Sequence, residues 1–257
     1  MSRDIWDPAV YARYTDERSR PFFELTARIG AQGPATVVDA GCGSGELTAA
    51  LKQRWPEADV RGFDSSQKMI DQAREHRGVS FEVADAATWA PVGPVDVLVS
   101  NALLQWVPTH REVLTRWADA LAPEGWLAFQ VPGNFDAPSH VIIRELCQSP
   151  EWRDKVGDVP RAKPVDDPEG YVDLLAARFT RVDAWETTYV HLLQGEDAVL
   201  RWTSGTALRP IFDRLDQDER ERERFTAQLA VRLGEAYPRR PYGTAFPFRR
   251  IFVVGQK

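Results

Sequence analysis

Three closely spaced glycines follow an apolar run near the start of the chain, in the stretch VVDAGCGSGELT at residues 37–48. Glycines at a strand-to-helix turn let the backbone approach a ligand closely and place a helix N-terminus beside it. The spacing of Gly41, Gly43 and Gly45 is G-x-G-x-G, which differs from the G-x-G-x-x-G of dinucleotide-binding sites. Asp39, two residues before the first glycine, makes the pattern more specific than glycines alone.

Polar side chains also follow the next three predicted strands. The second strand ends at Asp64, about 20 residues after the glycines, where a carboxylate accepts hydrogen bonds from two ribose hydroxyls. Ser65 follows it directly. The third strand ends in Asp85, which Ala86 follows, and an acceptor at this position suits the exocyclic amine of adenine. The fourth strand ends in Ser100 and Asn101. These features favour an adenosine-containing ligand, but a turn-capping role is the simpler alternative for Asp39 and Asp85.

The elements that must position these residues alternate between strands and helices over about 100 residues, which is typical of a parallel, doubly wound α/β sheet. After residue 133 this alternation ends, and longer helical segments are interrupted by two strand-like runs. The predicted strands are 35–40, 58–64, 79–85, 95–101, 126–133, 180–193 and 248–257, and the predicted helices are 18–30, 46–56, 65–76, 110–121, 137–148, 168–178 and segments within 196–236.

Charge, cysteine content and the lengths of apolar runs disfavour several classes of protein. The 257 residues carry a formal net charge of −6, which disfavours a general nucleic-acid binder. Cys42 and Cys147 form no CxxC pair, so we expect neither a zinc site nor a disulfide framework. No apolar run approaches the ~18–20 residues that span a membrane, and the charged N-terminus lacks the apolar segment of a signal peptide. We therefore expect a cytoplasmic protein without nucleic-acid or membrane partners.

Taken together, these motifs resemble those of the class I S-adenosylmethionine-dependent methyltransferases, over residues of about 35–133. DAGCGSG at 39–45 resembles their first motif, Asp64 their ribose-binding acid and Asp85 their adenine-side residue. The resemblance implies S-adenosylmethionine as the cofactor, and its sulfonium cation suits a site with an acid such as Asp39. The cofactor-binding residues implied are Asp39, Gly41, Gly43, Asp64, Ser65, Asp85, Ala86 and Asn101.

The same resemblance implies a Rossmann-like sheet of seven strands, with helices on both faces, a last strand that runs antiparallel and a mostly helical cap. We expect a single methyltransferase domain over residues 1–257. Within it, 1–133 would form the N-terminal lid and cofactor-binding core, 134–178 and 195–245 the cap and substrate segments, and 180–193 and 248–257 the last sheet strands.

Stretches outside the core, such as NALLQWVPTHREVL at 101–114 and WTSGTALRPI at 202–211, are similar to methyltransferases that act on trans-aconitate. This second resemblance covers nearly the whole chain and implies conversion of one carboxylate of this small tricarboxylate to a methyl ester. A carboxylate is already ionised at pH 7. In-line SN2 transfer therefore needs alignment and exclusion of water but no general base. We expect no catalytic side chain and no metal.

Binding of a tricarboxylate requires charged hydrogen-bond donors, preferably arginines. Arg209 is our first candidate, because a proline stiffens the chain beside it. His140 and Arg144 are four residues apart in a predicted helix after the fifth strand, so they share one face. Arg249 and Arg250 alternate in a predicted strand, so at most one of them faces a pocket.

The N-terminal segment with Trp6, Tyr11, Tyr14 and Arg20 is expected from the family to cover the cofactor, and we include Tyr14 among the substrate-binding candidates. Three other functions stay open at this point: a methyltransferase for another small acid or metabolite, a nicotinamide-dependent oxidoreductase, and a non-catalytic cofactor-binding protein. Nothing in the sequence indicates an obligate protein partner.

Overall fold

The first half of the chain alternates strand and helix as predicted. The computed structural model describes residues 15–159 and 163–257. Its elements up to residue 132 are α1 (Thr15–Ala27), β1 (Thr36–Ala40), α2 (Glu46–Arg54), β2 (Asp59–Asp64), α3 (Gln67–Ala73), β3 (Ser80–Val83), β4 (Val95–Asn101), a 3₁₀ turn (Leu104–Trp106), α4 (His110–Ala120) and β5 (Leu121–Pro132).

The second half is mainly helical, with two long strands. Its elements are α5 (Pro138–Gln148), α6 (Arg153–Val156), α7 (Pro168–Leu175), β6 (Arg181–Leu193), α8 (Ala198–Ser204), α9 (Arg209–Leu215), α10 (Glu219–Ala236) and β7 (Thr244–Gln256). Periodicity missed α6 and the 3₁₀ turn because neither is long enough to present a repeating apolar face.

The fifth strand begins earlier than its predicted start at residue 126. Residues 122–125 contain a proline and a glycine, which favour a turn. Instead, Leu121 pairs with Val95 of β4 across a register shift, and Glu124 takes a left-handed conformation with φ 61°. The strand therefore continues through an irregularity that its local sequence does not predict.

The seven strands form one sheet in the order β3-β2-β1-β4-β5-β7-β6. Strands β1 to β5 pair in parallel, and β7 runs antiparallel to β5, which confirms the predicted topology. Ala40 pairs with Ser100, and Asn101 pairs with Gln130. The carboxyl ends of β1, β4 and β5 therefore lie side by side at one edge of the sheet.

The chain divides into two compact units. The first holds the described residues up to Pro132 together with Val165–Thr187 and Arg250–Lys257, and the second holds those within Gly133–Pro164 and Thr188–Arg249. The sequence-based division grouped residues 165–178 with the cap segments, whereas they cluster with the first unit. Tyr171 of α7 explains this, because its ring packs edge-on against Phe129 of β5 with centroids 5.0 Å apart.

Apolar stripes of the helices form the core of the first unit. Phe22, Leu25 and Ile29 are at most 2% exposed, and the predicted stripe of α4 that contains Trp117 is fully buried. Within the described ranges, no helix has both the length and the apolar character required to cross a membrane.

Helix α10 offers a test of packing in the second unit, because buried and exposed aliphatic residues lie two positions apart. Leu229 is 0% exposed and Val231 is 63% exposed. We expect Leu229→Ala to lower the free energy of unfolding by about 2–5 kcal/mol, since it removes buried methyl groups and leaves a cavity. Val231→Ala should change it by less than about 0.5 kcal/mol. Urea unfolding followed by circular dichroism measures both, and equal losses would contradict this packing.

Candidate cofactor site

The turn after β1 is built from glycines in left-handed conformations. Gly41, Gly43 and Gly45 have φ values of 75°, 54° and 83°. A Cβ added at Gly41 would lie 2.8 Å from the Cβ of Leu103, so this glycine is needed for packing. A Cβ added at Gly43 would meet no protein atom within 4 Å. Gly43 thus exposes bare backbone to open space, as expected where a ligand approaches the turn.

Hydrogen bonds to the end of β2 hold this turn in place. The backbone N–H groups of Gly41 and Cys42 both donate to the carbonyl of Phe63, at 2.8 and 2.9 Å. The N–H of Gly43 donates to Oδ2 of Asp64 at 3.1 Å, and Oδ1 of Asp64 accepts from the N–H of Ser66 at 2.9 Å. The predicted ribose acid and the glycine turn are therefore in direct contact.

Asp39 is a buried acid at the base of the turn. It is 3% exposed, and its Oδ2 accepts a hydrogen bond from Oγ1 of Thr48 at 2.7 Å. Burial raises the pKa of Asp39 to about 7, the negative charge of Asp64 adds to this, and the bond from Thr48 opposes it. A cation bound nearby would favour the ionised form, which fits the sulfonium expected for this site.

Asp85 lies beyond the end of β3 and caps the loop there. Its Oδ1 accepts from the N–H of Ala87 at 2.8 Å, so the alternative turn-capping role is present. Arg116 of α4 fixes the same loop, since its Nη2 donates to the carbonyls of Ala86 and Ala87 at 3.2 and 2.8 Å. Asp85 is exposed and Ala86 is buried. Their assignment to the adenine remains a prediction.

Asn101 completes the set at the end of β4, where the pairing of Ala40 with Ser100 brings it beside the glycine turn. Ser65 is exposed and follows Asp64 along the chain. The structure thus collects the glycine turn, Asp64 and Asn101 at the carboxyl ends of neighbouring strands, which is where open α/β sheets bind ligands. Their contacts with a cofactor remain predictions.

Sequence reasoning missed one polar residue near this edge, Gln130, and did not choose between Arg249 and Arg250. Gln130 of β5 is 0% exposed and pairs with Asn101, and Arg250 of β7 is 5% exposed. A signal for Gln130 was present, because this polar residue interrupts the apolar run WLAFQVP. The sequence alternation put at most one of Arg249 and Arg250 toward a pocket, and the structure buries Arg250 while Arg249 is half-buried.

Cys42 lies inside the glycine turn but is not suited to nucleophilic chemistry. Cys42 is 8% exposed, and its thiol donates to the carbonyl of Gly43, with sulfur and oxygen 3.7 Å apart. Burial, together with the charges of Asp39 and Asp64, raises the pKa of the Cys42 thiol well above its usual range. The thiol therefore stays protonated and contributes packing.

Two of the predicted substrate residues lie together in the second unit. His140 and Arg144 on α5 both turn toward Phe135, whose ring packs edge-on against His140 and whose carbonyl accepts from Nη1 of Arg144. Burial lowers the pKa of His140 to about 4, and the charge of Arg144 acts in the same direction. His140 is therefore neutral at pH 7 and offers a hydrogen bond rather than a charge.

Two substrate candidates remain, Arg209 and Tyr14. Arg209 is half-buried and begins α9, and its Nη1 atom is inaccessible to solvent. Tyr14 lies outside the described residues. In the part of the chain that the structure describes, no cluster of three or more histidine, cysteine, aspartate or glutamate residues is arranged to hold a metal ion.

Comparison with known proteins agrees with this site. A family model described as a methyltransferase domain matches residues 37–125, which include the glycine turn, Asp64, Asp85 and Asn101. The phosphoethanolamine N-methyltransferase 2 of Haemonchus contortus, solved with S-adenosyl-L-methionine, has a similar fold, with a TM-score of 0.56 at 15% identity over 96% of this chain and 56% of that chain. The fold and the glycine turn define an S-adenosylmethionine-dependent methyltransferase.

Nearly full-length relatives identify the family more closely. The chain is 53% identical to the trans-aconitate 2-methyltransferase of Rhodococcus jostii, over 98% of this chain and 99% of that protein. It is 48% identical to the enzyme of the same name from Streptomyces coelicolor, over 98% and 86%. The chain therefore belongs to the trans-aconitate 2-methyltransferase family, and the oxidoreductase alternative is set aside.

Gly43→Ala tests whether the open space beside the turn belongs to the cofactor. We expect the variant to fold with a loss of about 1–2 kcal/mol for the left-handed alanine, and to bind S-adenosylmethionine at least tenfold more weakly by calorimetry. Gly33→Ala is a matched control, because Gly33 has φ 62° and open space around its Cβ position but lies before β1. Equal affinities of the two variants would contradict the assignment.

The buried acid predicts a pH-dependent stability. The pKa of Asp39 is about 7 in the folded protein and 3.8 as the reference, so between these values the folded state binds more protons than the unfolded state. The free energy of unfolding of the wild type should therefore fall relative to Asp39→Asn as the pH rises from about 4 to about 7, by at most ~1.4 kcal/mol per pH unit, and then level off. Urea unfolding across this range measures the difference, and a pH-independent difference would overturn the prediction.

Proposed function

We propose that this protein transfers the methyl group of S-adenosylmethionine to one carboxylate of trans-aconitate and forms the monomethyl ester. The observation that carries the proposal is the 53% identity to the Rhodococcus jostii enzyme, which extends over nearly the whole of both chains. Such identity includes the segments outside the cofactor-binding core, where substrate specificity has to arise.

The residues of the glycine turn fit the proposed cofactor. Gly43 leaves open space for close approach of a ligand to the backbone, and Asp64 presents a carboxylate beside it for ribose hydroxyls. Asp39 places a buried acid near the expected cation. S-adenosylmethionine held there would supply a methyl group on its sulfonium, and in-line displacement by a carboxylate oxygen would leave S-adenosylhomocysteine.

The chain's own contribution to this reaction is mainly positioning. The acid substrate is ionised at pH 7 and needs no general base. His140 is neutral at pH 7 because burial lowers its pKa to about 4. The protein then has to hold the carboxylate in line and keep water away, and alignment of this kind contributes up to about 7–11 kcal/mol in well-oriented systems.

We extend the proposal to substrate recognition by Arg209, Arg144, His140 and Tyr14. Within the described residues, Arg144 is half-buried and donates to a backbone carbonyl rather than to a carboxylate. A cation in that setting suits an anionic ligand.

We also propose a cytoplasmic location and function without an obligate protein partner. The two cysteines, Cys42 and Cys147, are buried free thiols, which is consistent with this location.

Transfer of radiolabelled methyl groups to a panel of acids tests the proposal. Trans-aconitate, cis-aconitate, citrate and a fatty acid are compared under the same conditions. We expect strong, base-labile labelling of trans-aconitate, since only an ester releases the label in mild base. Binding of S-adenosylmethionine without labelling of any acid would overturn the substrate and leave the methyltransferase family membership standing.

Arg209→Gln tests recognition of the tricarboxylate. We expect the KM for trans-aconitate to rise at least tenfold, because a charge-assisted hydrogen bond contributes about 1.5–3 kcal/mol. The Kd for S-adenosylmethionine should stay unchanged. Arg153→Gln is the control, since Arg153 lies in the same unit with a side chain that is 61% exposed. If both variants keep the wild-type KM, Arg209 has no part in substrate binding.

A further inference from the structure

The carboxyl edge of the sheet carries three polar residues, which are the half-buried Asn101 and the buried Gln130 and Arg250. We refer to these three residues as the polar edge cluster. Gln130 is 0% exposed and Arg250 is 5% exposed. Nη1 of Arg250 donates to Oε1 of Gln130 at 3.1 Å. All three residues belong to the first compact unit.

The two amide side chains of the cluster have buried atoms without a hydrogen-bond partner among the described residues. These atoms are Nε2 of Gln130 and Oδ1 of Asn101. A buried amide donor or acceptor without a partner is costly, and nearly all such groups in folded proteins are satisfied by protein, water or ligand. The cluster therefore has hydrogen-bonding capacity that a ligand can use.

The contact with Arg250 fixes the direction in which Gln130 donates. Because Oε1 accepts from the guanidinium, Nε2 is the end of the amide that remains for another group. Gln130 pairs with Phe252 across the β5–β7 ladder, and Arg250 lies two residues before Phe252 on the same face. An amide donor and a cation thus lie together in a buried region, a combination that favours an anionic group.

The cluster is close to the glycine turn through the register of the sheet. Asn101 on β4 is a neighbour of the end of β1, and Gln130 is the register partner of Asn101 on β5. Adjacent strands are about 4.8 Å apart, so Gln130 lies roughly 10 Å from the strand that carries the glycine turn. Gln130 and the glycine turn therefore lie two strands apart at the same carboxyl edge of the sheet.

We propose that Gln130 and Arg250 bind a carboxylate beside the methyl-transfer site. The carboxylate belongs either to the acid substrate or to the amino-acid end of S-adenosylmethionine, and in both cases Nε2 of Gln130 donates to it. The inference rests on the proposed function for the first source and only on the methyltransferase family for the second.

Gln130→Glu is the decisive variant. It keeps the size of the side chain and the acceptor for Arg250, but replaces the free amide donor with negative charge. If the substrate supplies the carboxylate, the Kd of trans-aconitate for protein saturated with S-adenosylhomocysteine should rise at least tenfold. If the cofactor supplies it, the Kd of S-adenosylhomocysteine should rise by that factor, while that of methylthioadenosine, which lacks the amino-acid end, should not change.

Controls separate this proposal from a general loss of folding. Gln130→Met removes the donor without adding charge and should weaken the same ligand, while Arg181→Gln changes an exposed strand arginine and should leave every Kd unchanged. Thermal unfolding verifies that each variant is folded. Unchanged affinities for both carboxylate ligands in the folded variants would overturn the proposal. If the wild type itself fails to bind trans-aconitate, the proposed substrate is wrong and the cofactor comparison alone decides the role of the cluster.

Discussion

The hydrogen bond from the N–H of Gly43 to the Asp64 carboxylate is the interaction on which the cofactor site depends. It joins the turn after β1 to the end of β2, and the carbonyl of Phe63 strengthens this link by accepting two further N–H groups. The turn reaches these partners only because its glycines adopt left-handed φ values. The same conformation leaves open space at Gly43, so the geometry that anchors the turn also exposes backbone to a ligand.

The sheet places costly polar groups where a ligand can compensate for them. Asp39 is buried with a raised pKa, and the side chains of Asn101 and Gln130 contribute buried atoms that lack partners among the described residues. In an otherwise apolar sheet such groups oppose folding. These groups lie together at the carboxyl ends of β1, β4 and β5, where open α/β sheets bind ligands. A bound ligand can therefore offset their unfavourable burial, since a cationic sulfonium and a carboxylate are the complementary groups in the proposed reaction.

Local sequence patterns predicted most of the fold, because the spacing of apolar residues within a short segment distinguishes a helix from a strand. The apolar stripe of Phe22, Leu25 and Ile29 predicted α1, and short apolar runs that end at or beside glycine, aspartate or asparagine predicted the first four strands. The prediction for β5 was incomplete, because the proline and glycine of residues 122–125 favour a turn and only the pairing of Leu121 with Val95 extends the strand. The grouping of residues 165–178 depended likewise on a contact distant in sequence, that of Tyr171 with Phe129.

The α/β class, the glycine turn, the acids Asp39 and Asp64 and the family resemblance could be read from the amino-acid sequence, because they depend on residue type and short spacing. The folded structure was needed to show how deeply Asp39 is buried, that Asp64 contacts Gly43, and that Gln130 and Arg250 meet although 120 residues separate them. Burial and long-range strand register set these properties. Both arise when the whole sheet has assembled, so no local pattern encodes them.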